Sequence, residues 1–241
     1  MAQQAASKDK VLIVVPAFNE QGKIGRVVHK IPRDTCDGIV VVNDCSTDGT
    51  AAEAEQAGAI LITHSQRRGV GAAIRSGIDY AIANQYDVVA VLSGDDQHDP
   101  NDLYGLLAPI FGGKFDFVQG SRRLIGLQSP QINTFRRIST WWYTALFRLL
   151  TGFPCTDATN GGRAFRTRIL ANKQINLWQD WLNTYELEPY LLYKAIKCSV
   201  RTTEAPMKVI YHNEGTTKMR PVKDWWRLFR PLLFLACGLR R

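Results

Sequence analysis

Apolar residues in the first half of the chain fall into short, uninterrupted runs. Residues 11–15 are all aliphatic and stop at Pro16, and comparable runs occupy 39–42, 59–62 and 88–92. A β-branched run that is apolar at every position, not at alternate ones, marks a parallel strand buried on both faces. Helical patterns separate the runs at 22–31, 50–57 and 71–83. Strands alternating with helices predict an α/β domain with a mostly parallel central sheet flanked by helices. A further strand is expected to return toward the sheet at 209–211. There is no internal repeat.

The second half is patterned differently. Trp141, Trp142 and Tyr143 precede Leu146, Phe147, Leu149 and Leu150, which suits an amphipathic helix. Trp225, Trp226, Leu228 and Phe229 lead into a nine-residue apolar run, 231–239, bounded by Arg230 and by Arg240 and Arg241. Tryptophan and arginine around a short apolar run suit an interfacial anchor; ordinary packing onto the core is the structural alternative for both segments. Neither approaches the roughly 20 apolar residues that a membrane span requires. The expected organisation is one catalytic domain over 1–218, with a donor half at 11–119 and an acceptor half at 120–218. An amphipathic membrane-interface tail follows at 219–241.

Charge sharpens the division. Residues 1–119 hold 10 Lys/Arg against 15 Asp/Glu, whereas 120–170 hold 8 Arg against the single carboxylate Asp157. Residues 201–241 hold 9 basic and 3 acidic residues, and the whole chain carries +8. A basic half implies an anionic partner. The five cysteines are scattered without a C-x-x-C pair, which argues for reduced thiols in a cytosolic setting and against a cysteine-built metal centre. The residues before Val11 lack the apolar centre of a signal peptide.

Ligands of open α/β sheets bind outside the carboxyl ends of the strands. Three acidic segments are expected there: Pro16–Glu20, Asn43–Gly49 and Ser93–Asp99. No G-x-G-x-x-G or P-loop is present, which removes dinucleotide and P-loop readings. Taken singly, each segment has a structural reading. Thr47 and Asp48 could cap a helix, Glu20 could sit in a first helical turn, and Asp95, Asp96 and Asp99 could form a solvated turn before Pro100. Together they favour a site. Carboxylates supply oxygen ligands to Mg²⁺ or Mn²⁺, which offset the charge of a diphosphate leaving group. Arg67, Arg68, Gly69, Val70 and Gly71 could bring positive charge and close backbone approach to the donor.

The ordered set V-V-P-A-F-N-E (14–20), V-V-N-D-C-S-T-D-G-T (41–50), R-G-V-G-A-A (68–73), S-G-D-D-Q-H-D-P (93–100), G-S-R (120–122), R-R-I-S-T (136–140) and G-T-T-K (215–218) resembles family 2 glycosyltransferases of the GT-A fold. More narrowly, it resembles the dolichyl- or polyprenyl-phosphate mannose synthases. The resemblance implies that Pro16, Ala17, Phe18, Glu20, Asp44, Arg68, Gly71, Ser93, Asp95 and Asp96 serve the donor. It places Asp95 and Gln97 at a Mg²⁺ or Mn²⁺ ion. Ser93 stands where the family carries the first aspartate of Asp-x-Asp; Asp96 is the candidate to compensate. Donor preference follows as GDP-mannose, with UDP-glucose possible.

On the acceptor side, Arg122, Arg123, Arg136, Arg137 and Arg163 suit bidentate phosphate recognition, or alternatively a solvated basic face. The resemblance assigns Arg122, Arg136, Arg137, Ser139, Thr140 and Lys218 to a lipid phosphate, with His212 at a position where the family carries arginine. Asp95 and Arg122 are the expected catalytic pair. An anionic phosphate needs no general base, which agrees with the shortage of carboxylates between 120 and 170. Asp157 is the candidate base for a hydroxyl acceptor, and pairing with an arginine such as Arg163 is its structural alternative. The expected protein is an inverting hexosyltransferase, peripheral at the cytoplasmic face of a membrane, acting on polyprenyl phosphate. A hydroxyl acceptor, or a non-catalytic nucleotide-sugar binder, is the alternative. Nucleic-acid binding has no motif to support it.

Overall fold

The computed structural model describes residues 9–124, 134–210 and 221–239. Seven strands form one sheet in the order β3-β2-β1-β4-β6-β5-β7. The four apolar runs are its first strands: β1 (Val11–Ala17), β2 (Gly38–Asn43), β3 (Ile60–Thr63) and β4 (Val88–Val91). They are parallel, with Val14 level with Val40 on one side and Val91 on the other. Their side chains alternate between two cores. Leu12, Val14, Val40, Val42, Val89 and Val91 face one layer, while Val11, Ile13, Val15, Ile39, Val41 and Ala90 face the other. Cover on both faces explains why β1, β2 and β4 read as continuous apolar runs, whereas β3, at the sheet edge, is only partly covered.

The second layer holds α1 (Ile24–Lys30), α2 (Thr50–Gln56) and α4 (Leu103–Phe111). The first holds α3 (Val70–Ala83), α5 (Thr134–Thr151), α6 (Leu187–Lys197) and α7 (Pro221–Ala236). The chain builds outward from β1 through β2 to β3, then returns across β1 to β4. Order therefore reverses between β1 and β4, opening a crevice at their carboxyl ends.

The remaining strands are β5 (Phe117–Ser121), β6 (Arg163–Arg166) and β7 (Thr202–Pro206). β6 runs antiparallel to β4 and β5, placing Arg163 beside Val91 and Gln119. The loop entering β6 thus reaches the same sheet edge as the loops leaving β4 and β5. The returning strand is β7, parallel to β5, earlier than the expected 209–211. Val209 makes only an isolated antiparallel bridge to His98, and Tyr211 lies outside the described residues.

Part of the stretch expected as an amphipathic tail packs on the domain. Leu228 and Leu232 on α7 are buried in the main core, and Phe229 packs edge-on against Tyr143 at 5.1 Å. Among the described residues no helix is long and apolar enough to cross a membrane.

Candidate active site

Three strand-end loops meet at the crevice, and each contains a non-glycine residue in the left-handed region. These are Asn19 (φ 51°) after β1, Cys45 (φ 60°) after β2 and Asp96 (φ 61°) after β4. Such conformations cost energy and cluster at functional sites. The first two loops are stitched together: Ser46 Oγ accepts from the Asn19 N–H at 2.9 Å, and Asn19 Oδ1 from the Thr47 N–H at 2.9 Å. The Arg67 guanidinium lies 3.9 Å above the Phe18 ring.

Asp44 is buried and occupied. Its Oδ1 accepts from the Arg68 N–H at 2.8 Å and lies 2.7 Å from His64 Nδ1, while Oδ2 accepts from the Gly69 N–H at 2.7 Å. Its carboxylate therefore shapes the Arg68–Gly69 turn. Gly71 has a related task. A Cβ there would strike the backbone carbonyls of Leu182 and Thr184, so the close approach it permits is to that segment of the protein. Glu20 pairs with Lys23 at 3.5 Å, and Ala17 belongs to the core.

The cleft itself encloses about 190 Å³. Of the residues expected in the site, Pro16, Ser93, Asp95, Gln97, Arg122, Arg136 and Thr140 line it. Asp95 Oδ1 accepts from Ser93 Oγ at 2.7 Å and from the Gln97 N–H at 3.2 Å. Ser93 thus orients Asp95 through a hydroxyl where a second carboxylate would repel it. Asp96 does not compensate: its left-handed backbone turns the side chain toward α1, where it pairs with Arg26 at 3.1 Å and Lys30 at 3.0 Å. Burial opposes its ionisation, but hydrogen bonds from these two cations keep its pKa below the usual value.

Arg122 meets Asp157 in a bidentate pair, Nε to Oδ2 at 2.6 Å and Nη2 to Oδ1 at 2.8 Å. Asp157 is therefore paired with Arg122 and not with Arg163. It has no exposed surface, which removes it as a base in the cleft. Arg163 instead donates to the carbonyls of Asn160 and Glu188, both at 2.8 Å, and reaches Glu188 Oε1 at 3.3 Å. Thr140 sits one turn beyond Arg136 on α5 and accepts from Arg123 Nη2 at 3.2 Å. Arg137 is exposed, and Ser139 is partly buried outside the cleft lining. Lys218 and His212 lie outside the described residues.

Several lining residues were not among those expected in the site: His98, Thr159, Asn160, Glu188, Trp225 and Leu228. Glu188 matters most, because it brings a second carboxylate to a cleft expected to be poor in them. Thr159 and Asn160 arrive through the antiparallel β6, and Trp225 and Leu228 through the packing of α7.

His98 lies under the cleft, where Nδ1 accepts from the Ser93 N–H at 3.1 Å. Burial pushes its pKa down to about 4, with Asp95 pulling against this and Arg122 and Arg163 adding to it. The ring is neutral at pH 7, while an unfolded histidine titrates near 6.5. The unfolded state therefore binds the additional proton as pH falls below 6.5. The stability that His98 confers is complete above pH 6.5 and declines toward pH 4, by about 3 kcal/mol in total. Urea unfolding between pH 7 and 4.5 should show a steeper acid loss for the native chain than for His98→Gln. Parallel slopes would mean that the ring titrates normally.

Comparison with known proteins bears on the family and the fold. The family model described as Glycosyl transferase family 2 matches residues 12–172. A UDP-N-acetylglucosamine–dolichyl-phosphate N-acetylglucosaminyltransferase of Methanococcus voltae is 27% identical over 95% of this chain and 98% of its own. An undecaprenyl-phosphate mannosyltransferase of Micrococcus luteus is 27% identical over 87% of each chain. A solved structure of glucosyl-3-phosphoglycerate synthase from Mycobacterium tuberculosis, in complex with Mn²⁺, UDP and glucosyl-3-phosphoglycerate, superposes with a TM-score of 0.71 at 18% identity. It covers 97% of this chain and 81% of that one, a likeness of fold. With the switch-point crevice, the strand-end loops and a family match over most of its length, this chain belongs to glycosyl transferase family 2 and is a glycosyltransferase of the GT-A fold.

Proposed function

We propose that the chain transfers a hexose from a nucleoside diphosphate sugar to the phosphate of a polyprenyl lipid, inverting the anomeric carbon. Mannose from GDP-mannose is the favoured donor, with UDP-glucose as the alternative. The observation that carries this reading is the lining of one cleft. Ser93, Asp95 and Gln97 share its lining with Arg122, Arg136 and Thr140 and with the apolar side chains of Tyr185, Val209, Trp225 and Leu228. A phosphate with a hydrocarbon tail matches cations and apolar side chains that line one cleft. The two relatives named above act on dolichyl and undecaprenyl phosphates according to their names.

In this reading a phosphate oxygen attacks the anomeric carbon and forms the new C–O bond. The bond to the nucleoside diphosphate breaks, and that group leaves with the electron pair. No proton has to be removed, so the protein's task is alignment and charge compensation. Among the described residues there is no cluster of three metal-ligating side chains. Asp95 with Gln97 fits a hard divalent ion that draws its other oxygens from the diphosphate, as Mg²⁺ and Mn²⁺ commonly do. Such an ion would neutralise the leaving group.

Peripheral membrane contact, at the cytoplasmic face, follows from the same reading. Phe135, Ile138, Trp142 and Leu149 recur along the outer side of α5, with Trp142 62% exposed, and Trp226 is 53% exposed on α7. Aromatic side chains beside Arg136 and Arg137 suit an anionic lipid interface. A hydroxyl acceptor is the second reading, because Glu188 offers a carboxylate in the cleft.

The test is transfer from labelled GDP- and UDP-sugars to polyprenyl phosphate, with and without Mg²⁺ or Mn²⁺, in the presence of anionic vesicles. Labelled lipid of inverted configuration is expected. Nucleotide binding without lipid labelling, or retention of configuration, would overturn the proposal.

A further inference from the structure

Glu186, at the start of α6, is a carboxylate with no accessible surface. A buried carboxylate persists only when it is paired, and its charged partners lie on α7. Arg230 Nη2 donates to Glu186 Oε1, and Arg227 Nε stands 3.9 Å from the same oxygen. Thr184 Oγ1 donates to Oε2, and Arg230 also reaches the Trp181 carbonyl at 3.3 Å. The Trp181 ring adds an edge contact to Phe234 at 6.1 Å. Arg227, Arg230 and Phe234 of α7 are thus tied to one short segment, 181–186. This helix supplies Trp225 and Leu228 to the cleft.

The opposite side of that segment grips the donor half. The Ala72 N–H donates to the Asn183 carbonyl at 3.0 Å, and Arg75 donates to Asn183 Oδ1 and, at 2.9 Å, to the Gln179 carbonyl. Gly69, φ 103°, has no room for a Cβ against the Asn183 carbonyl. Its N–H is one of the two backbone groups held by Asp44. A continuous set of contacts therefore runs from the nucleotide-side loop, through 181–186, to the apolar wall of the cleft.

We infer that Glu186 is a positioning residue: it locks α7 as the acceptor wall and ties that wall to the loop that Asp44 shapes. The inference rests on the proposed function in taking the wall of Trp225 and Leu228 as the acceptor side. A carboxylate facing two arginines holds the helix in rotation as well as in place, because both cations lie on one face, three residues apart. Apolar packing of Leu228 and Leu232 is less directional than a carboxylate held by two guanidinium groups.

The test uses the full chain with Glu186→Gln, Glu186→Asp and Arg230→Gln. Amide exchange over 221–236 should quicken about tenfold or more in Glu186→Gln, with β1 and β4 unchanged. The KM for polyprenyl phosphate should rise about tenfold or more, because small displacements of a positioning wall are costly, while nucleotide affinity stays within about twofold. Glu186→Asp should recover part of the loss. If Glu186→Gln does not fold, Arg230→Gln removes the partly exposed partner that hydrogen-bonds Glu186 and carries the same expectations. Unchanged exchange in α7, or an unchanged acceptor KM in a folded variant, overturns the inference. Failure of the underlying reading shows elsewhere, as native enzyme that labels no lipid phosphate.

Discussion

Replacing Asp95 with asparagine is expected to lower sugar transfer by about 10³-fold, the scale on which a single preorganised electrostatic group contributes. The substitution isolates charge from shape. The asparagine side chain can still accept through Oδ1 from Ser93 Oγ and the Gln97 N–H, the two bonds that now hold Asp95 at 2.7 and 3.2 Å. The loop should therefore keep its form, with stability within about 0.5 kcal/mol of the native chain. Only the negative charge facing the cleft is lost. Because Asp96 is committed to Arg26 and Lys30, it cannot take over. Initial rates of transfer, with urea unfolding as the control, check both parts. A variant that retains a tenth of the native rate would remove Asp95 from the machinery. The complementary change, Ser93→Asp, places two carboxylates at the distance of the present hydroxyl contact. Their repulsion should be relieved by a divalent ion, so tighter Mn²⁺ binding is the expected result.

How far the sequence foretells this molecule depends on how local each signal is. β1, β2 and β4 are buried on both faces by their own aliphatic residues, so composition alone reveals them. β6 reads Arg-Ala-Phe-Arg and β7 reads Thr-Thr-Glu-Ala-Pro. Such short polar strands are strands only because β4 and β5 pair with them, which is why the last strand was expected several residues late. The site divides the same way. Asp95 follows a legible strand, whereas Arg122 follows β5, which the apolar pattern did not reveal, and is legible only through the G-S-R motif. Glu188, Asn160 and Trp225 reach the cleft through an antiparallel strand and two packed helices, connections with no local periodicity. Asp95 and Asp96 are equivalent in sequence, yet the left-handed turn at Asp96 sends one to the cleft and the other to α1. Asp157 was expected to pair with an arginine and does, but only the fold selects Arg122 over Arg163.

That choice makes Asp157→Asn the substitution with the largest expected cost to stability. Asp157 is fully buried and accepts hydrogen bonds from the Arg122 N–H at 3.2 Å, Nε at 2.6 Å and Nη2 at 2.8 Å, and from Thr159 N at 3.2 Å and Oγ1 at 2.9 Å. Burial works against its ionisation, but the Arg122 guanidinium outweighs this and holds its pKa below the ordinary carboxylate value. An asparagine must turn an NH₂ toward donors on one side or the other, and it leaves the Arg122 charge uncompensated. Breaking a buried pair from one side costs about 3–5 kcal/mol, a large share of the roughly 5–15 kcal/mol that stabilises a domain. Urea unfolding at pH 7 measures this directly. The sign with pH follows from the depressed pKa. The contribution of Asp157 is complete above the unfolded value near 3.9 and is lost as pH falls through the lower folded value, so the gap between native and variant should narrow in acid. The double variant Arg122→Met, Asp157→Leu separates support from chemistry. Removing both charges should restore part of the stability, with the Arg122 N–H and the Thr159 donors left without their acceptor, while transfer stays lost because the cleft lining then lacks that cation. Recovery of transfer in the double variant would mean that Arg122 only braces the loop, leaving Arg136 to meet the acceptor phosphate.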